Sequence, residues 1–160
     1  MSAIVYIGIG TNMGERQELI HTAIRALKEH VGALLECSSF YETEPWGFTS
    51  EHQFLNAAAS FRTSLSPEQV LTLTQRIELS MGRLHKSSEG RYADRPIDLD
   101  LLLYSDVVIR TQELTLPHPH LHKRAFVLDP LAEIAPNVLH PTLGKTIQEL
   151  QTDLHNHQKE

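Results

Sequence analysis

Phe54-Leu55-Asn56-Ala57-Ala58-Ala59-Ser60-Phe61-Arg62-Thr63 alternates between two kinds of side chain. Successive residues of an extended chain point to opposite faces. Leu55, Ala57, Ala59 and Phe61 therefore share one face, and Phe54, Asn56, Ala58, Ser60 and Arg62 the other. This is a half-buried strand, packed on one side only. Just beyond it, Ser66-Pro67-Glu68-Gln69 supplies a helix start, with Ser66 as N-cap, Pro67 at the first helical position and Gln69 completing a capping box. Val70, Leu73, Ile77 and Met81 then recur at helical spacing, and Gly82 marks the end.

Upstream, Ala3 to Ile9 is an apolar run of strand length, and Gly8, Gly10 and Gly14 punctuate a turn around Thr11 and Asn12. Ile20, Ile24, Leu27 and Val31 place a helix over Glu15 to His30, ended by Gly32. Leu34 to Tyr41 reads as a second strand and Glu42 to Gln53 as a loop. Downstream, a polar loop from Arg83 to Arg95 leads into an apolar strand, Ile97 to Leu103. The order β-α-β-β-α-β predicts an α+β fold of the ferredoxin-like kind, a four-stranded antiparallel sheet with both helices on one face. Beyond Tyr104 the expectation is an appendage: a hairpin within Val107 to Leu116, a helical turn over Pro130 to Ala135, and a frayed polar tail from Thr152. One domain over residues 1–160 follows from the length.

The strand Ile97-Asp98-Leu99-Asp100-Leu101-Leu102 carries the chemistry. If Ile97, Leu99, Leu101 and Leu103 point into the core, Asp98 and Asp100 stand together on the opposite face, the one that also bears Asn56. Adjacent carboxylates repel unless a cation lies between them. Mg²⁺ and Mn²⁺ suit such a pair, since they are bound through one or two carboxylates plus substrate phosphates. The plainer alternative is an edge strand whose aspartates face solvent. Arg83, Lys86, Arg91 and Arg95 precede the pair, and Lys123 and Arg124 follow. A basic loop beside an acidic pair fits a phosphate-rich anion bridged by metal, although a solvated basic loop reads the same way.

The net charge of −6 argues against a general affinity for nucleic acid. No apolar run reaches membrane-span length, and no basic region leads into a signal segment, so neither membrane partner nor export is expected. The single Cys37 excludes an intramolecular disulfide and fits a reducing, cytoplasmic setting. The Gly8/Gly10/Gly14 spacing is not that of a dinucleotide fingerprint. Gly144-Lys145-Thr146 imitates the end of a P-loop, but Leu139 replaces its first glycine. His118, His120 and His122 suggest zinc only weakly, because Pro117 and Pro119 oppose regular strand pairing. A phosphate or ribose contact through one of these histidines suits Lys123 and Arg124 next door. Trp46, beside Pro45 and Gly47, reads equally as core filler or as a lid aromatic over a flat heterocycle.

Several segments, in order along the chain, resemble the 6-hydroxymethyl-7,8-dihydropterin pyrophosphokinase family of the folate pathway. They include Tyr6-Ile7-Gly8-Ile9-Gly10-Thr11-Asn12, Ser38-Ser39-Phe40-Tyr41-Glu42-Thr43-Glu44-Pro45, Phe54-Leu55-Asn56-Ala57-Ala58 and Arg76-Ile77-Glu78-Leu79-Ser80-Met81-Gly82-Arg83. Asp94 to Tyr104, Leu116-Pro117-His118-Pro119-His120, Arg124 to Leu128 and Pro130 to Pro136 complete them. The resemblance implies transfer of the β,γ-diphosphate of ATP to the pterin hydroxymethyl group, with AMP as the other product. It implies two Mg²⁺ ions on Asp98 and Asp100, and phosphate contacts from the catalytic arginines Arg83 and Arg95. Gln75, Glu78, Thr115, His118 and Arg124 match positions lining the ATP site. Thr43, Glu44, Trp46, Phe54, Asn56 and Phe126 match positions around the pterin. The family also implies a monomer whose partners are these two small molecules.

This chain departs from the family in three places. Arg91-Tyr92-Ala93-Asp94-Arg95 lacks the tryptophan and the glycine-proline of many members, with Tyr92 as a candidate replacement ring. His85 stands where arginine is common, and Pro119 where an aromatic is often found. Two other functions fit a metal-binding pair on such a sheet: a nucleotidyltransferase, which would release free pyrophosphate, and a non-catalytic nucleotide- or RNA-binding module. The acidic balance counts against RNA.

Overall fold

β1 (Ala3–Thr11) runs through the middle of an antiparallel sheet, between β4 (Phe54–Thr63) and β5 (Asp98–Tyr104). The computed structural model describes residues 2–12, 15–43, 54–82 and 97–158. β2 (Ala33–Cys37) and β3 (Tyr41–Thr43) both pair with the outer edge of β4, so among the described residues the sheet has five strands in the order β2-β4-β1-β5, with β3 beside β4. The single second strand expected over Leu34 to Tyr41 is therefore two. Ser38 is the reason: its N–H donates to the Ala58 carbonyl at 2.8 Å, while its hydroxyl accepts the Ala58 N–H at 2.9 Å. A side chain thus takes the place of a backbone carbonyl in the ladder and lets the chain turn away.

α1 (Arg16–His30) and α2 (Pro67–Ser80) cover one face, as the apolar spacing predicts. Ile7, Ile9, Ala57, Ala59, Phe61, Leu99 and Leu101 meet Ile20, Leu27, Val70 and Ile77 there. The α2 cap is formed as expected, with Gln69 N–H donating to Ser66 Oγ at 3.2 Å and Ser66 N–H donating to Gln69 Oε1 at 2.8 Å.

Beyond Tyr104 the chain is no appendage. The hairpin expected there is β6 (Ile109–Arg110) with β7 (Thr115–Leu116). α3 (Ala125–Ile134) and α4 (Ile147–Gln158) then build a second core on the other sheet face, where Leu128, Leu131, Ile147 and Leu150 pack with Tyr6, Ala58 and Leu102. Helices thus cover both faces, and the polar face is exposed only in part. α3 is longer than the turn expected from Pro130, because that proline lies inside the helix and is buried. The tail from Thr152 is helical to Gln158, held by Lys145–Asp153 at 2.6 Å and by Gln151 and His155 on Asp129. Thr146, the end of the P-loop look-alike, accepts the Glu149 N–H through its hydroxyl in a second capping box. Among the described residues, no helix is long and apolar enough to cross a membrane.

Candidate active site

The strand register sets a row across the sheet. Asp98 pairs with Gly10, Gly10 with Asn56, and Asn56 with Tyr41. One pleat along, Asp100 pairs with Gly8 and Gly8 with Ala58. Period two puts all of these on the face away from α1 and α2. Asp98 and Asp100 are half-exposed, as a cation-binding pair requires, while Leu102 beyond them is buried under the second core. Gly8 and Gly10 leave β1 bare between the acids and β4. A Cβ on Gly10 would lie 2.9 Å from Asn56 Oδ1, so the amide of the buried Asn56 already occupies that space.

α2 fixes the acidic strand from below. Glu78 Oε2 accepts the Leu99 N–H at 2.8 Å, and Leu99 is the residue between the two aspartates. Glu78 is buried, whereas Gln75, one turn earlier, is exposed. On the other side of β5, the hairpin returns and the His118 N–H donates to the Leu102 carbonyl at 3.0 Å. Thr115 is half-buried in β7, opposite Arg110.

His118 has its pKa lowered to about 4, chiefly by burial and then by the Arg124 guanidinium and the neighbouring His120 ring, with Asp98 opposing the shift. At neutral pH the ring is uncharged. Its Nδ1 accepts the His120 N–H at 3.1 Å, which assigns the ring proton to Nε2 as a donor. The Arg124 guanidinium carbon lies 5.6 Å from the centroid of the Phe126 ring. Electrostatics thus couple His118 to Asp98 and to Arg124, and Arg124 lies against Phe126 on the first turn of α3. A cavity of about 190 Å³ opens beside Thr115 and His118, lined also by His122 and His140. Among the described residues, no three His, Cys, Asp or Glu side chains gather to hold a metal, and His118, His120 and His122 do not come together as such a group. The chain turns through a short 3₁₀ segment at Leu121–Lys123 instead of extending.

Thr43 ends β3 opposite Phe54, which is half-buried. Glu44, Trp46, Arg83, Arg95, His85 and Tyr92 lie outside the described residues. Sequence reasoning missed two contributors. Tyr41 borders Asn56 in the row, and Glu133 on α3 binds Tyr41 and Ser39. Their place within the motif runs was visible, but nothing in the spacing links them.

A profile of the family described as 7,8-dihydro-6-hydroxymethylpterin-pyrophosphokinase (HPPK) matches residues 6–136. A 2-amino-4-hydroxy-6-hydroxymethyldihydropteridine pyrophosphokinase of Porphyromonas gingivalis is 50% identical over 140 residues, covering 87% of this chain and 95% of that one. Its counterpart in Aquifex aeolicus is 41% identical over 151 residues, with 94% and 92% covered. Among solved structures, a Plasmodium falciparum HPPK-DHPS triple mutant superposes with a TM-score of 0.82 at 16% identity, covering 100% of this chain. An HPPK-DHPS complex with substrates gives 0.80 at 15% identity. The chain spans only 44% and 45% of those two longer chains, and at such identities they bear on the fold alone.

Proposed function

Because this chain belongs to the 7,8-dihydro-6-hydroxymethylpterin-pyrophosphokinase family, it is a pyrophosphokinase of folate biosynthesis, and we infer that Asp98 and Asp100 hold the two Mg²⁺ ions of its reaction. The enzyme transfers the β,γ-diphosphate of ATP to the hydroxymethyl group of 6-hydroxymethyl-7,8-dihydropterin and releases AMP. One observation carries the site assignment: the two half-exposed carboxylates face a glycine strip that ends at Asn56. The donors fit a hard divalent cation, since they are oxygens only, lie two residues apart on one strand face, and are both half-exposed. When bound, such ions neutralise phosphate charge and orient the polyphosphate.

The chain's own residues supply positioning and charge, which are most of what phosphoryl transfer asks of a protein. His118 offers Nε2–H as a neutral donor to a phosphate or ribose oxygen, and Arg124 adds a fixed positive charge beside it. Arg83 and Arg95 steady the charge that moves toward AMP, while Gln75, Glu78 and Thr115 complete the ATP side. Asn56 presents an amide to the edge of the pterin, matching both donors and acceptors. Phe126 and Trp46 cover its ring, and Thr43, Glu44 and Phe54 frame it. The frame is a ferredoxin-like sheet extended by the C-terminal layer. The enzyme works as a cytoplasmic monomer.

The assay is AMP release in step with pterin diphosphate. Release of ADP would overturn the reaction type, and free pyrophosphate would mark nucleotidyl transfer instead. Asp98→Asn and Asp100→Asn should each lower kcat at least about a hundredfold and leave the circular dichroism spectrum unchanged. Titration with a non-hydrolysable ATP analogue should show that binding depends on Mg²⁺ in the parent and loses that dependence in the variants.

A further inference from the structure

Ser38-Ser39-Phe40 carries the chain from β2 to β3 at the sheet edge, and a carboxylate from the opposite layer reaches it. Glu133 Oε1 accepts hydrogen bonds from the Tyr41 hydroxyl at 2.6 Å and the Ser39 hydroxyl at 2.7 Å. Glu133 Oε2 accepts the Ser39 N–H at 2.8 Å. Three donors from one short segment thus converge on one charged acceptor, and bonds of this kind are about twice as strong as neutral ones.

The location gives the contact its meaning. Tyr41 opens β3 and pairs with Asn56, and β3 ends at Thr43. Glu133 lies two helical turns after Phe126 on α3, on the same helix face. One helix therefore carries both Phe126, assigned above to the pterin ring, and a bond to the strand that pairs with Asn56.

We propose that Glu133 is a positioning residue: through Ser39 and Tyr41 it fixes the distance between Phe126 and the Thr43/Asn56 side, and so sets affinity for the pterin and not for ATP. This rests on the pterin assignments of Asn56 and Phe126 made above. The affinity effect belongs to the slot's width, because neither Glu133 nor Tyr41 is asked to touch the ligand through its carboxylate or hydroxyl.

The test is steady-state kinetics on the full chain with Tyr41→Phe, which removes one oxygen, and Glu133→Ala. Each should raise the pterin KM about tenfold, the size expected for losing a hydrogen bond to a charged group, with the ATP KM within about twofold of the parent. The double variant should add little to either single one, since both break the same contact. Asp129→Asn serves as the comparison. It removes the charge that Gln151 and His155 of α4 meet on α3 and so weakens both bonds, leaves the Glu133 bonds in place, and should lower the melting temperature without moving the pterin KM. Equal rises in both KM values, or a pterin KM that moves as far with Asp129→Asn, would overturn the proposal. A parent protein that makes no AMP from ATP and the pterin refutes the functional reading. An active parent whose Tyr41 and Glu133 variants keep the parental pterin KM refutes the latch alone.

Discussion

At Gly10 the missing side chain is what lets the Asn56 amide lie over β1, because a Cβ there would come within 2.9 Å of Oδ1. Gly10→Ala should therefore displace the amide with little loss of stability, about 1 kcal/mol, and should raise the pterin KM several-fold more than the ATP KM. At Gly32 the obstacle is backbone: a Cβ would sit 1.9 Å from the Arg62 carbonyl oxygen. Gly32→Ala should cost about 3 kcal/mol or more, read from the urea midpoint. Histidines add a pH dependence. His118 is lowered to about 4, and His122 and His140 are lowered too, mainly by burial. The folded protein thus prefers them neutral, so their stabilisation is complete above the ordinary value of 6.5 and drains as pH falls toward 4. Thermal melts from pH 7 to 4 should show this acid limb. It should be shallower in His140→Asn, whose amide oxygen keeps an acceptor for the Thr142 and Leu143 N–H groups that now meet Nδ1. Asp98, Asp100 and Asn56 were legible from period two alone, since one face of each strand is apolar. Glu133 was not, because its bond to Tyr41 joins residues 92 positions apart and leaves no periodic trace.

Among the elements, α2 could be read in full, because its capping box and apolar stripe are both local. The break between β2 and β3 could not, since it depends on the Ser38 hydroxyl meeting Ala58, a contact made only once the sheet exists. α3 was hidden by Pro130, which ends most helices but here costs one internal hydrogen bond within a buried, apolar segment. α2 also connects elements to chemistry. Its Glu78 holds the Leu99 N–H, so Glu78→Ala should release the backbone between the two aspartates. The expected result is a loss of about 2 kcal/mol, faster amide exchange at Leu99, and lower kcat while β1 and β4 exchange as before.

For the molecule as a whole, two cores share one sheet, and neither is built from a single stretch of sequence. The first was foreseeable from the helix–strand alternation. The second needed knowledge that Leu128, Leu131, Ile147 and Leu150 meet Tyr6 and Leu102, and composition does not carry that pairing. Leu128→Ala should cost about 2–5 kcal/mol by leaving a cavity in this layer. It should also lower activity, because Leu102 lies on the same strand face as the acidic pair. Equilibrium unfolding followed by near-ultraviolet signals of the buried Tyr6 and by far-ultraviolet circular dichroism should show one coincident transition, because the cores share their strands.

The half-roofed sheet has a consequence for ligand design. Along β1, β4 and β5 the same strands run from beneath α3 and α4 out to the row of Asp98, Gly10 and Asn56. Tilting any of them to suit an incoming molecule would disturb packing on both sides at once. The spacing from acid to amide is thus preset. A rigid inhibitor cut to that span would find its target already shaped, and would lose little binding strength to reshaping the protein.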